Sequence, residues 1–393
     1  MTSRDVYDGP VHSNTHFNIA GSPTFRAGLS QTEEQVRFNS SLLASDSNPP
    51  ADTPRLGPTA APCRLVDCAG FDRGLDYDPA APGSDPIPLP GTEARAQQRS
   101  AALGEAIPTF PPNHPVFVGA TATGEIAGGI YVQGSVLDLE LEANPGGLTG
   151  QRLTIQTSLA RRTQITVDQA ARTTTVAYQC HWNGVACTEN GADPWTPETW
   201  TVTRTLLGVP NGVVFVASGA VQALHGPRSG EAAVQRDTML SIVADYTISV
   251  TGHVRYEVDP RGADRVNNIL GVVSWNGDVV VDTPDGFGAV DLHLSVIVPN
   301  LDGGAGGELR VARHDTRPVE GDAILLGGVI ETTSGRFGTY SDTLATHGYG
   351  RNWTHDRRFA MRGLAPPVFP TLARFLVLTN GLNLETYTWR QGR

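Results

Sequence analysis

The feature that most constrains this chain is a series of short apolar segments, each interrupted by glycine, that begins at Pro115. "PVFVGATATGEIAGGIYVQGSV", "NGVVFVASGAV", "MLSIVADYTISVTGHVRYE", "NNILGVVSWNGDVVVD" and "AVDLHLSVIVPN" are rich in Val and Ile and carry β-strand rather than helical patterning. A tetrad of small or polar residue, glycine, any residue and valine recurs as QGSV (133–136), SGAV (218–221), TGHV (251–254) and NGDV (276–279). The uneven spacing excludes a strict tandem repeat, yet each unit reads as strand, glycine corner, strand. Such units bury their apolar faces only by stacking on one another. The expected fold is therefore all-β: a right-handed parallel β-solenoid with an antiparallel hairpin insertion and one short α-helix. A sandwich would show evenly spaced strands joined by tight hairpin turns.

Four regions follow from this texture. Residues 1–30 alternate in parity around "VHSNTHFNIAG" and read as the first solenoid strands. His12 and His16 share a face there but stand roughly 13 Å apart on a strand, too far to chelate one ion. Residues 31–115 are a proline-rich excursion with a helix at 93–105, for which Thr92 is the expected cap. Residues 116–370 form the solenoid body. From it an antiparallel flap at 144–207 departs, where "RLTIQTS", "TQITVDQ", "RTTTVAYQC" and "ETWTVTRTL" alternate strictly. Residues 371–393 carry an Asn380-Gly381 turn signal and read as a closing β-hairpin.

A formal net charge of −11 disfavours non-specific coating of nucleic acid or anionic membranes. All 29 basic residues are Arg, which reads first as coding bias. No apolar run approaches a membrane span. The four cysteines form two close pairs, Cys63 with Cys68 and Cys180 with Cys187, spaced for loop-closing disulfides rather than for zinc. Disulfides place the chain in an oxidising, extracytoplasmic compartment, although its polar start resembles no signal peptide. The expectation is an extracellular or cell-surface protein whose N-terminal export helix is absent from this sequence.

Candidate chemistry is sparse. Asp138, Glu140 and Glu142 share one strand face and read as a solvated face. Asn300, Asp302 and Glu308 surround a glycine run and can offer hard oxygens to calcium, or form an ordinary corner. For DNA, the basic spots with aromatic neighbours are Arg161 and Arg162 on the flap, Arg351 with Trp353 in "YGRNW", and Arg357 and Arg358 in "HDRRF". Their alternative role is to bridge acidic rungs. No phosphate-cradling loop or Ser, His, Asp motif is present, so no catalytic residue is assigned.

The motifs "DGPVHSN", "GSPTF", "GGIYVQGSV", "GVVFV", "ILGVVSWNGDVVV", "AILLGGVIE", "GRFGTYSDT", "YGRNWTHDRRF" and "PPVFP" occur in an order that resembles PilX-type pilus assembly proteins. These are prepilin-like surface proteins carrying a solenoid-like domain, akin to ComZ-like large minor pilins. The resemblance covers most of residues 5 to 370. It implies a non-enzymatic protein of the type IV pilus, with other pilins or cell-surface components as partners and a role in adhesion or DNA uptake. The leader and long apolar helix of that family have no counterpart here. A carbohydrate-active β-helix enzyme or a phage-like spike is the alternative.

Overall fold

The computed structural model describes residues 5–15, 17–20, 23–26, 29–32, 36–39, 54–55, 70–71, 86–104, 114–159, 161–179, 181–182, 187–188, 202–262, 265–304, 306–341 and 344–370. The chain is all-β in class, with two α-helices among these residues. Three large sheets carry the core.

Sheet I runs Val329–Glu331, Ser295–Val298, Ile269–Ser274, Met239–Ala244, Val213–Ala217, Ile126–Gln133 and Val116–Ala120. All neighbours in it are parallel except the last pair, in which Val116–Ala120 lies antiparallel to Ile126–Gln133. Sheet II holds Asp138–Ala143, Val221–His225, Ile248–Val250, Val279–Val281 and Leu309–Val311 in parallel. Beyond Asp138–Ala143 it continues as the antiparallel strands Gly150–Ser158, Arg161–Asp168, Thr173–Gln179 and Val202–Leu207. Sheet III runs Val290–His293, Val319–Gly327, Leu344–His355, Val6–Asp8, Thr24–Phe25 and Gly70–Phe71, all parallel, with Gly338–Ser341 antiparallel on Leu344–His355. Sheets I and II are thus mixed, sheet I through the antiparallel Val116–Ala120 strand and sheet II through the flap, whose four long strands fall within the expected 144–207 and extend the sheet from Asp138–Ala143.

The chain visits sheets I and II in turn, then sheet III, and each return lands one strand further along. Ile130, Val214, Ile242, Val272, Val296 and Val329 are successive partners in sheet I. With Leu139, Leu224, Val250 and Val281 from sheet II and Leu292 and Leu325 from sheet III they form one continuous core. Burying such an apolar stripe requires every circuit to contribute, which is why the valines recur.

Three tetrads occupy the same corner between sheets I and II. Val136 bridges Val221, Val221 pairs with Ile248, and Ile248 pairs with Val279. A Cβ on Gly219 would fall 2.3 Å from the Gly134 carbonyl, so the stacked corners leave no room for a side chain. The TGHV tetrad belongs to a different corner, where the chain leaves sheet II and Val254 bridges Leu292.

The outward face of sheet I is apolar too. Helix α1 (Thr92–Leu103) covers it, with Ala102 packed among Tyr131, Phe215, Val243 and Trp275. Gln98 is buried in this contact: its carbonyl accepts the Trp275 indole N–H at 3.0 Å and its amide donates to the Val368 carbonyl. The expected cap is displaced by one residue, since Gly91 holds the N-cap position, Thr92 is already helical and no side chain caps the end. The helix stops at Leu103, where Gly104 adopts φ +65° against the Ala127 carbonyl. A second helix, α2 (Arg358–Arg362), was not expected.

The N-terminal strands occupy an unexpected place. Rather than preceding the stack, Val6–Asp8 pairs with Leu344–His355, the last body strand of sheet III, and Thr24–Phe25 follows it. Tyr7 stacks on Phe25 with centroids 5.3 Å apart and meets Trp353 edge-on at 5.6 Å. Val11–Ser13 pairs with Leu29–Gln31, and Asn18–Ala20 with Val36–Asn39, both in parallel. Phe17 is buried, as its parity predicts, and His12 bonds the Asn14 side chain. Cys63, Cys68, Cys180, His16, the flap residues 189–201 and the 371–393 hairpin lie outside the described residues, as do the side chains of Cys187 and its strand.

Candidate functional site

Polar side chains concentrate on the outward face of sheet II where the flap leaves the body. Alternation puts Leu139, Leu141, Leu153, Ile155, Ile165 and Val176 into the core and turns the residues between them outward. Register then lines the outward residues into rows across five strands. One row is Glu142, Arg152, Thr166, Thr175 and Thr205; the next is Glu140, Thr154, Gln164, Ala177 and Thr203; a third is Asp138, Gln156, Arg162 and Gln179. Directly opposite side chains on such strands stand about 5 Å apart. Arg152 and Glu142 form an ion pair within the first row.

At the body edge of this face, Asp138 meets His225 with Oδ1 to Nε2 at 2.9 Å, and Glu140 lies opposite His225 in register. The other ring nitrogen, Nδ1, donates to the Gly226 carbonyl at 2.6 Å. Both nitrogens face acceptors, which calls for two N–H groups and hence the imidazolium. Burial opposes that charge, but the Asp138 hydrogen bond, the Gly226 carbonyl and the charges of Asp138 and Glu140 outweigh it and push the His225 pKa up. Burial likewise raises Asp138, and His225 with Arg228 and Arg162 more than reverses this, so the carboxyl is held below its ordinary range.

The same corner continues along the stack. Gly226 donates to the His253 carbonyl, and Asp291 in the following circuit accepts Arg255 Nε at 2.7 Å. Here the histidines are of the opposite kind. His253 Nδ1 accepts the Asp291 N–H and His293 Nδ1 accepts the Tyr256 N–H, each at 3.1 Å, which requires neutral rings. Burial lowers both, with Arg255 adding to it at His253 and His293 reaching about 4. His114 at the flap root is neutral for the same reasons: it is buried, its pKa is lowered to about 4, and it accepts the Val116 N–H. These three rings use Nδ1 as an acceptor for main chain, a positioning role rather than a proton-transfer one.

The sequence-derived DNA set is dispersed. Arg351 is 7 % exposed, ion-paired to Asp5 at 3.1 Å, bonded to the Gly335 carbonyl and stacked over Phe337. Arg358 is 3 % exposed and spends its guanidinium on Asp356, the carbonyls of Val266 and Asn268, and Asn268 Oδ1. Both are structural cations inside the protein, which corrects their assignment to DNA. Trp353 is half-buried, meeting Tyr7 and Phe337 edge-on with the Arg351 guanidinium over its ring. Arg357 is exposed at the start of α2, and Arg161 and Arg162 are partly exposed on the flap. Burial lowers Arg162, while Glu140 and Asp138 hold its charge.

Of the calcium set, Asn300 serves the local loop through its amide nitrogen. Asn300 adopts φ +53° and its amide donates to the carbonyls of Gly304 and Gly306, closing the glycine loop. Glu308 gives its main-chain N–H to Asp278, and Asp302 is exposed with its charge felt by Arg95. Among the described residues no group of three or more His, Cys, Asp or Glu side chains is placed to hold a metal. The acidic trio of the sequence, Asp138, Glu140 and Glu142, does stand on one outward face, but two of the three are drawn into contacts with His225 and Arg152. Sequence reasoning missed His225, His253 and Asp291. The available signal was a histidine beside glycine at each corner, in "LHG" and "TGHV". No family model, curated protein or solved structure matches this chain.

Proposed function

We propose that the chain is a non-enzymatic, extracellular display protein of the pilus-associated, minor-pilin-like kind. In this reading the body is a right-handed parallel β-solenoid that acts as a stiff spacer, and the outward face of the flap sheet is what it presents. The observation that carries the reading is the unbroken succession of parallel partners through sheets I and II, ending in a broad polar extension at one edge. Ladder hydrogen bonds and stacked apolar circuits resist bending along the stack, while right-handed crossovers are the rule for parallel strands. The main-chain duties of His253, His293 and His114 also support a positioning role for the titratable side chains.

Other pilins or cell-surface components are the proposed partners, with the paired cysteines Cys63–Cys68 and Cys180–Cys187 belonging to the exported form. A DNA contact reduces to Arg161, Arg162 and Arg357, and the acidic neighbours Glu140 and Asp138 offset Arg162. The test is to tag the protein in its own cells, shear the surface and blot the sedimented pili. Co-sedimentation that disappears in a strain lacking pili is expected. Recovery of all the protein from the cell interior would overturn the reading.

A further inference from the structure

We propose that Arg317 holds a small monovalent anion of the chloride class at the corner where the chain passes from sheet II to sheet III. Three arginines are buried among the described residues, and two of them face a carboxylate: Arg351 pairs with Asp5 at 3.1 Å and Arg358 with Asp356 at 2.6 Å. Arg317 is different, although its side chain is fully shielded from solvent. The carboxylate within ion-pair reach is Asp285, at 3.7 Å, which lies half-exposed and already takes Arg313 at 2.9 Å. Nη2 of Arg317 donates to the carbonyls of Thr283 and Pro284 and to the Thr283 hydroxyl. The N–H groups on Nε and Nη1 are buried and meet no acceptor among the described residues.

A guanidinium cannot shed its proton to escape burial, so orphan donors on a buried arginine call for an acceptor that carries negative charge. The side chains around it do not supply one. Glu320, a buried carboxylate of the same corner, gives both oxygens to the N–H groups of Gly286 and Gly288. The Tyr349 ring lies under the guanidinium at 5.1 Å, but its hydroxyl is shared with Thr283 at 2.7 Å and burial raises its pKa, so the phenol stays neutral. Charge and size then choose the ligand. One negative charge neutralises Arg317, whereas sulfate or phosphate would carry surplus charge and unserved oxygens against the apolar core to which Tyr349 belongs. A spherical halide accepts N–H groups from any direction, so Nε or Nη1 can serve it. Thr283 follows Val279–Val281, Arg317 precedes Val319–Gly327 and Tyr349 lies on Leu344–His355, so the ion ties three successive circuits at one corner.

The experiment is urea unfolding of the full-length protein as sodium chloride is raised from about 1 to about 100 mM, with sodium gluconate, too large for a closed corner, holding the ionic strength constant. An ion bound only by the folded state with a dissociation constant of about 10 mM lowers the unfolding constant about tenfold over that range, and this is the expected result. Arg317→Met, which keeps an apolar stem and removes the donors, should abolish the chloride dependence. Crystals of the wild type grown in sodium bromide give a second reading that needs no variant, should Arg317→Met fail to fold: an anomalous peak is expected within hydrogen-bond reach of Nε or Nη1. Equal unfolding constants in chloride and gluconate, or no bromide peak at Arg317, would overturn the proposal and leave water to serve the guanidinium. A chloride dependence that survives in a folded Arg317→Met variant would overturn it too, because the ion would then bind elsewhere. The display reading is tested on sheared pili and is independent of either result.

Discussion

Arg358 shows how little of a basic residue's role its neighbours in sequence disclose. In "HDRRF" it looks like half of an exposed pair, yet it sits beneath the surface, where Asp356 meets it through both carboxylate oxygens and Tyr256 lies under its guanidinium. Replacing Arg358 with Met would leave Asp356 buried without a counter-ion and take the Arg358 donors from the Asn268 carbonyl and Oδ1, while Arg362 still serves the Val266 carbonyl. A loss of about 3–5 kcal/mol in urea unfolding is expected, the range found when one partner of a buried pair is removed. Arg357→Met, at an exposed neighbouring position, should change stability by less than about 0.5 kcal/mol. Glu331 makes a second case. Burial pushes its carboxyl from 4.5 up to about 7, against the pull of the Leu309 N–H, Arg351 and the Gly335 N–H. Folding therefore binds a proton at this site between pH 4.5 and 7, so its contribution falls as pH rises through that window and is constant above it. His293 and His114, lowered to about 4, act in the opposite sense as pH rises from 4 to 6.5. The difference in unfolding free energy between wild type and Glu331→Gln isolates the carboxyl. Glu331→Gln should gain on the wild type as pH rises from 4.5 to 7; a difference independent of pH would show that Glu331 ionises normally.

Among the elements, the corners carry the constraint. Gly219 and Gly277 sit where one circuit's backbone lies against the next, and a methyl group on Gly219 would meet main-chain atoms of Gly134 and Ser135 that have no room to retreat. Gly219→Ala should cost about 1–3 kcal/mol or more through overpacking, measurable by thermal or chemical unfolding. Gly146→Ala, with open space around it, should cost only the strain of its left-handed φ. That contrast also marks what the chain's letters disclosed. The glycine-valine tetrads and the strict alternation of the flap follow from local rules, since a parity or a corner is written in adjacent residues. The helix was visible in "TEARAQQRSAAL" for the same reason, although it starts at Thr92 with Gly91 in the N-cap position and no side chain capping it. The polar rows were only half visible: alternation shows that Thr166, Thr175 and Thr205 each turn outward, while their alignment depends on strand register, which no single segment encodes. Arg351 and Asp5 could not be paired from sequence, because hundreds of residues separate them and only the packing of the first strand on the last unites them.

At the scale of the molecule, the exposed edges of long parallel sheets are the problem this fold must solve. At one end, Val116–Ala120 closes sheet I and the antiparallel flap strands extend sheet II away from the body. Towards the other, the strand of sheet III at Leu344–His355 is covered by the beginning of the chain, through Val6, Tyr7 and Asp8 opposite Asn352, Trp353 and Thr354. The N-terminal segment is therefore a cap on the last body strand, joined by a ladder, by Tyr7 packed between Phe25 and Trp353, and by the Asp5–Arg351 pair. Asn14 ties it further, exchanging two 2.7 Å hydrogen bonds with the backbone of Ile87 on the chain's way to α1. Deleting residues 1–39 should then uncover the backbone groups of residues 352–354 and leave Arg351 without its carboxylate. Hydrogen exchange in 348–355 should accelerate by an order of magnitude or more if about 1.4 kcal/mol of protection is lost, while Val213–Ala217 and Met239–Ala244, deep in sheet I, keep theirs. The freed edge should also make the truncated protein associate with rising concentration, visible by sedimentation. Unchanged exchange across 348–355 would mean that the segment rests on the body without stabilising it, and that Leu344–His355 is held by Val319–Gly327 and Gly338–Ser341.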